Sequence, residues 1–226
     1  MSGAVTHPRF AVRRGGSRST TWWGKAWVRA VEEAAYGEAD LKRGRQLART
    51  GAVGGIAVAS GSAFAAVVEG DEAWTTTVAI PVLDPVGVQA LVEVVAAESG
   101  RIAALVAGEL PHTLVEHAEE AGVELLPYGG EIEAHCNCEH WVAPCPHALA
   151  VLAQIAWLID TDPFVLLALR GLARDELLAR LHATTTAAEP VEDADVEADL
   201  DTAEEAVRRM RAALAELDGP RATIAP

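Results

Sequence analysis

The chain has 226 residues, half of them apolar, and a formal charge of −15. That is enough chain for one sizeable buried core, and no apolar run approaches the roughly 20 residues of a membrane-spanning helix, so no membrane is expected. Residues 1–50 hold ten Lys and Arg against four Asp and Glu, while everything after them is acidic; a broad basic face for gripping nucleic acid is excluded beyond that first segment.

Residues 1–18, rich in Gly, Ser and Arg, show no apolar period and read as a flexible basic arm. Arg9, Arg13 and Arg14 are not followed by an apolar stretch, so no secretory signal is expected and the reducing cytoplasm is the expected location. Ser19, Thr20 and Thr21 offer N-cap oxygens to a helix from about Trp22 to Ala35, with Trp23, Trp27, Ala30, Val31 and Ala34 on one face. A second helix spans about Leu41 to Arg49 and stops at Thr50-Gly51. The period then changes. Val53–Ala59, Ala63–Glu69 and Trp74–Ile80 alternate, with Gly-containing turns between them, and predict a three-stranded antiparallel meander. Helices follow at about Pro85–Glu98, Ile102–Ala107 and Pro111–Ala121, then a short strand at Val123–Leu126. Further helices are expected at about Pro146–Leu158, Pro163–Leu169 and Arg174–His182. Residues 183–226 read as an acidic, largely disordered tail with one amphipathic helix over 204–217, its stripe formed by Val207, Met210, Leu214 and Leu217. The expected fold class is α+β: N-terminal helices, a small antiparallel sheet, a helical layer, a cysteine-bearing finger over 128–160, then C-terminal helices. The expected divisions are 1–18, 19–127, 128–160, 161–182 and 183–226.

All three cysteines fall between positions 136 and 145, where a chain using Cys as core filler would scatter them. Clustered thiols in a reducing compartment point to a metal. The pattern Cys136-x-Cys138-x6-Cys145-x-His147 supplies four N/S ligands, the set that tetrahedral zinc takes. In extended chain, positions i and i+2 point to one side, Pro144 and Pro146 stiffen the return, and His147 enters the first turn of the next helix. One structural Zn2+ is therefore expected on Cys136, Cys138, Cys145 and His147, with His135 and His140 as alternatives for the fourth ligand.

This segment resembles a SWIM-type zinc finger, whose pattern is C-x-C, a variable gap, then C-x-H. Thr21-Trp22-Trp23-Gly24-Lys25-Ala26-Trp27, the run Leu41 to Arg49, Glu109-Leu110-Pro111 and Asp162-Pro163-Phe164 resemble bacterial, chiefly actinobacterial, SWIM-finger proteins over about residues 10–182. Leu47 departs from the aromatic such relatives would carry. The resemblance implies a module for protein or DNA interaction, associated with Swi/Snf-type helicases.

Other motifs carry less. His117-x-Glu119 with Pro144-Cys145 echoes a zinc deaminase, but Ala148 stands where that pattern needs its last thiol. Trp22 and Trp23 either anchor their helix or form a partner-binding patch with Lys25, Arg43, Arg45 and Arg49. The leading expectation is a non-enzymatic adaptor that binds a protein, with a Swi/Snf-type helicase as candidate and only weak nucleic-acid binding by the chain alone; the alternative is direct DNA or RNA binding through residues 1–50 and the finger.

Overall fold

The structure, a computed structural model, describes residues 3–14, 19–187 and 205–211. The chain forms two compact units, 1–181 and 182–226. The first is a mixed α/β body whose five-stranded sheet has the order β1-β2-β3-β4-β5, each neighbouring pair antiparallel.

The meander expected from the alternating runs is the centre of that sheet: β2 (Val53–Ala59), β3 (Ser62–Glu69) and β4 (Glu72–Ala79). On β3 the period of two puts Ala63, Ala65 and Val67 in the core and leaves Phe64 and Val68 exposed. Two short flanking strands complete it. β1 (Val5–His7) pairs with β2, and β5 (Glu133–Cys136) pairs with β4. The first corrects the reading of residues 1–18 as a free arm. Beyond β1, the Arg13 N–H donates to the Arg49 carbonyl at 2.9 Å, and Phe10 meets Trp157 edge-on at 5.2 Å. Backbone pairing and stacking hold this segment, and neither leaves an apolar period to read; residues 15–18 lie outside the described residues.

Eight α-helices, α1 to α8, follow one another within residues 19–187. α1 (Trp22–Ala34) is capped by Thr21, whose hydroxyl accepts from the Gly24 N–H. α2 (Glu38–Arg49) follows directly. α3 (Pro85–Ala96), capped by Asp84, α4 (Ser99–Val106) and α5 (His112–Glu120) make the helical layer. α6 (Pro146–Thr161) is apolar nearly all round and buried from His147 to Ile159 except at Ala153, as befits a helix packed on all sides. It lies against α1 and α2 and touches β2, β3, β4 and β5. α7 (Pro163–Leu169) is capped by the Asp162 carboxylate, which accepts from the Phe164 N–H at 2.9 Å, with Pro163 at its first position.

α8 (Arg174–Ala187) runs past the expected end at His182, so the tail's first residues are helical. The strand expected at Val123–Leu126 is absent: its residues are irregular. Val123 and Leu125 are buried, which mimics a strand's alternation, but the Glu124 carbonyl accepts from the buried Arg170 guanidinium at 2.8 Å instead of from a neighbouring strand. In the second unit, residues 205–211 are helical and Glu205 pairs with Arg208 and Arg209. The rest of the helix expected over 204–217 lies outside the described residues. Among the described residues no helix is long and apolar enough to cross a membrane.

Candidate metal centre

Three elements converge on the cysteines. β5 brings Cys136 directly opposite Thr76 of β4. The next residue continues the ladder with its side chain: Asn137 Oδ1 accepts from the Thr75 N–H at 2.7 Å, and the Asn137 N–H donates to the Thr75 carbonyl at 3.2 Å. These two bonds tie Asn137 to β4, and the chain, expected to stay extended, bends from there through Cys138, which still joins Cys136 in the cluster. Cys145 is the N-cap residue of α6, with Pro146 and His147 in the first turn. The Cys145 carbonyl accepts from the Leu149 N–H at 2.9 Å and so joins the helix.

The Cys136, Cys138 and Cys145 sulfurs and a His147 ring nitrogen all lie within 4.8 Å of one another. Cys136 Sγ is 3.9 Å from His147 Nδ1. Around a tetrahedral zinc, with Zn–S near 2.3 Å and Zn–N near 2.0–2.1 Å, neighbouring ligand atoms stand roughly 3.5–3.8 Å apart. The four residues therefore fit a single ion after a small contraction. Cys145 and His147 are buried, and Cys136 and Cys138 half-buried. This Cys3His group could hold a metal ion.

Electrostatics fit the same use. Burial, with help from the neighbouring Cys136 and Cys138 thiolates, pushes Cys145 up to about 12 against a hydrogen bond from the Ala148 N–H. At Cys136 burial also pushes upward, but hydrogen bonds from the Thr76 hydroxyl and from Cys138 and Cys145 outweigh it and bring the thiol below its ordinary range. Burial, then the charges of Arg43 and His140, lowers His147. This favours the neutral ring, the form that binds metal. Three clustered thiols cannot all ionise without a compensating cation.

Around these four stands a second layer that the sequence did not announce. Trp74 of β4 stacks on the His147 ring, centroids 4.2 Å apart and planes 18° off parallel. Glu69, the last residue of β3, has Oε2 3.3 Å from His147 Nε2 and an ion pair to Arg43 through Oε1. Finding these residues needed the β4–β5 register, which a four-residue strand carries too weakly to read.

Both alternative ligands face elsewhere. His140 Nε2 lies 3.6 Å from Asp40, and its Nδ1 accepts from the Val142 N–H at 3.3 Å. His135 precedes Cys136 on β5, opposite Thr77, and so points to the other face of the sheet.

The six residues weighed as a partner-binding patch do not come together. Trp22 donates its indole N–H to the Leu110 carbonyl and Trp23 to the Ile159 carbonyl, both at 3.0 Å. Trp23 is buried and Trp22 half-buried, so these rings anchor α1. Lys25, Arg45 and Arg49 border a groove of about 600 Å³ between α1, α2 and α6, floored by Val28, Leu152 and Trp157. Arg45 pairs with Glu32 on that rim. Arg43 points instead to Glu69. An exposed aromatic pair that the sequence reading passed over joins the finger loop to the α1–α2 connection: Trp141 of the loop is 81% exposed, Tyr36 71%, and their centroids are 5.6 Å apart.

What the fold and cluster define is a mixed α/β protein with a Cys3His group able to hold a metal ion. The chain is 34% identical over 172 residues to the uncharacterized protein Rv2102 of Mycobacterium tuberculosis. That stretch is 74% of this chain and 61% of the relative, so the chain spans less than two thirds of the protein it matches. No protein-family model and no solved structure matches the chain.

Proposed function

We propose that this chain is a non-enzymatic adaptor built on a SWIM-type finger closed by one structural zinc, and that it binds another protein through the finger surface. The observation that carries the reading is the four-ligand cluster itself. Cys136, Cys138, Cys145 and His147 offer four donors to one ion, and around zinc they would fill all four tetrahedral positions, the composition of a structural site, whereas catalytic zinc keeps one position for water or substrate. A closed site shapes a surface. Here the loop between Cys138 and Cys145 presents Trp141 beside Tyr36, and exposed aromatic residues are favoured as interface anchors. The resemblance makes a Swi/Snf-type helicase the partner to test first, in the cytoplasm.

Direct nucleic-acid binding is the competing reading, and the charges weigh against it. Arg43 and Arg45 are engaged with Glu69 and Glu32, and residues 51–226 are strongly acidic. The test is co-elution of the purified zinc-loaded chain with a purified Swi/Snf-type helicase of the same cell. The adaptor reading expects a complex that Trp141→Ala weakens at least tenfold. Absence of a complex, together with tight binding to DNA alone, would overturn it.

A further inference from the structure

We propose that Glu69 is a positioning residue of the metal centre: it accepts a hydrogen bond from the Nε2–H of His147, fixes the tautomer, and makes Nδ1 the metal-binding nitrogen. The inference rests on the zinc reading above and adds to it an assignment within the second layer.

A neutral imidazole has one N–H to donate and one lone pair to offer. Which nitrogen binds metal is set by the partner of the other. In this protein the two nitrogens face different chemistry. Nδ1 looks toward the thiols, 3.9 Å from Cys136 Sγ. Nε2 looks toward Glu69 Oε2 at 3.3 Å, the long end of a hydrogen bond. A carboxylate only accepts, so the proton belongs on Nε2 and the lone pair on Nδ1. Trp74, stacked on the ring at 4.2 Å, opposes the flip that would exchange the nitrogens.

Arg43 completes the arrangement. Three thiolates, one neutral His and a divalent cation sum to one negative charge, and a carboxylate beside them adds another. The Arg43 guanidinium, paired to the second oxygen of Glu69, offsets that addition and holds the carboxylate in place from α2. Three separate elements, α2, the end of β3 and the first turn of α6, thus meet through one side chain. Arg43, weighed from sequence as a nucleic-acid contact, is given a role inward.

The test uses the full chain loaded with zinc. Affinity is read by competition with a chromophoric chelator for wild type, Glu69→Gln and Glu69→Ala, and long-range nitrogen–proton correlation spectra report the His147 ring. Glu69→Ala is expected to lose about 10–100-fold in zinc affinity, the range for removing such a partner. Glu69→Gln, whose amide oxygen still accepts, should recover most of that loss. The wild-type spectrum should show metal on Nδ1 and a slowly exchanging proton on Nε2. Metal on Nε2 in wild type, or a Glu69→Ala affinity within twofold of wild type, overturns the inference while leaving the zinc reading standing. A wild-type chain that takes up no zinc overturns both. Should Glu69→Ala fail to fold, the wild-type spectrum alone still decides.

Discussion

Gly44 and Leu149 stand back to back: a Cβ built on Gly44 would lie 2.6 Å from the Leu149 Cβ and 3.1 Å from the Pro146 carbonyl oxygen. The obstruction includes backbone, so it cannot swing aside. Gly44 is what lets α2 lie close on the first turn of α6, the turn that carries His147. In an exposed helix Gly→Ala gains about 1 kcal/mol of propensity. At this contact overpacking costs about 1–3 kcal/mol and wins. Gly44→Ala should therefore destabilise the chain, by up to about 2 kcal/mol, and weaken zinc binding, read as the denaturant midpoint with and without zinc. An equal or higher midpoint would mean the helices separate without cost.

Metal removal should act locally before it acts globally, because binding at such a site is coupled to the folding of its surroundings. The purified chain should carry about one zinc per molecule. Chelation, or Cys138→Ser, should raise hydrogen exchange in β5 and the first turn of α6, while the Ile56–Ala59 stretch of β2 and its partners Ser62–Ala65 on β3, at the end of β3 opposite Glu69, keep their protection. Unchanged exchange around residues 133–149 would show that the metal is not structural.

The fourth ligand can be tested by three substitutions. His147→Ala should reduce zinc affinity by orders of magnitude, whereas His140→Ala and His135→Ala should change it less than threefold, since His140 is engaged with Asp40 and Val142 and His135 faces away. Chelator competition measures all three. A larger loss in either of the last two would reassign the ligand.

Much of this architecture was legible because local chemistry and tertiary role agree. The meander of β2, β3 and β4 follows from alternation and turn glycines, and α1 from a Thr cap and an aromatic face. The Trp-rich motif also finds its reason in the fold. Gly24 leaves room for the Asp160 carboxylate, which a Cβ there would strike and which accepts from the Thr21 hydroxyl and the Thr20 N–H. The Cys3His cluster was readable because a metal site calls for N and S donors, and here all four lie within twelve residues. What stayed hidden depends on partners distant in sequence. β1 and β5 have three and four residues, too few to show a period. Glu69 and Trp74 look like ordinary strand-end residues until Val67 pairs with Trp74 and Thr76 with Cys136. Val123–Leu126 misled because two buried side chains alternate in a segment whose carbonyl belongs to an arginine.

Stability of the metal-free chain should depend on pH in opposite directions at the two ends. His147 is lowered in the fold, by burial first and then by neighbouring positive charge. Below its usual range the unfolded chain binds a proton that the folded chain resists, so stability is lost as pH falls. Cys136, also lowered, acts in the same direction: its contribution is fully present only above the ordinary thiol range. Cys145 behaves oppositely. Its thiol ionises near 9 when unfolded but only at about 12 in the fold, so stability is lost as pH rises through that window. With chelator present, the denaturant midpoint should climb from acid toward about pH 8–9 and fall above it. Zinc, which holds the thiolates ionised inside the fold, should abolish the alkaline fall. An alkaline fall of equal size with and without zinc would separate Cys145 from the metal.

The last prediction divides the adaptor from the nucleic-acid binder. Phosphate affinity grows with the number of Lys and Arg free to neutralise charge, and each neutralised phosphate steepens the salt dependence. Residues 1–50 contribute ten basic side chains, yet Arg43 and Arg45 already have carboxylate partners, and Arg9 donates to the Gly51 carbonyl. The remainder of the chain, with eight basic against twenty-nine acidic residues, repels a polyanion. DNA binding by the isolated protein should therefore be weak, with Kd on the order of 10⁻⁵ M or worse at physiological salt, the non-specific range. Whatever binding remains should fade when Lys25, Lys42 and Arg49 are neutralised or when salt is raised, and Trp141→Ala should leave it unchanged. Binding to the protein partner should show the reverse pattern, sensitive to Trp141→Ala and Tyr36→Ala and only mildly to salt, because those rings form the exposed pair beside the finger and truncating a buried aromatic anchor costs about 2 kcal/mol or more at an interface. Anisotropy titrations with labelled duplex and single-stranded DNA at two salt concentrations, run beside the helicase co-elution, read both patterns at once. Nanomolar, sequence-selective DNA binding that survives at high salt would overturn the adaptor reading in favour of direct recognition.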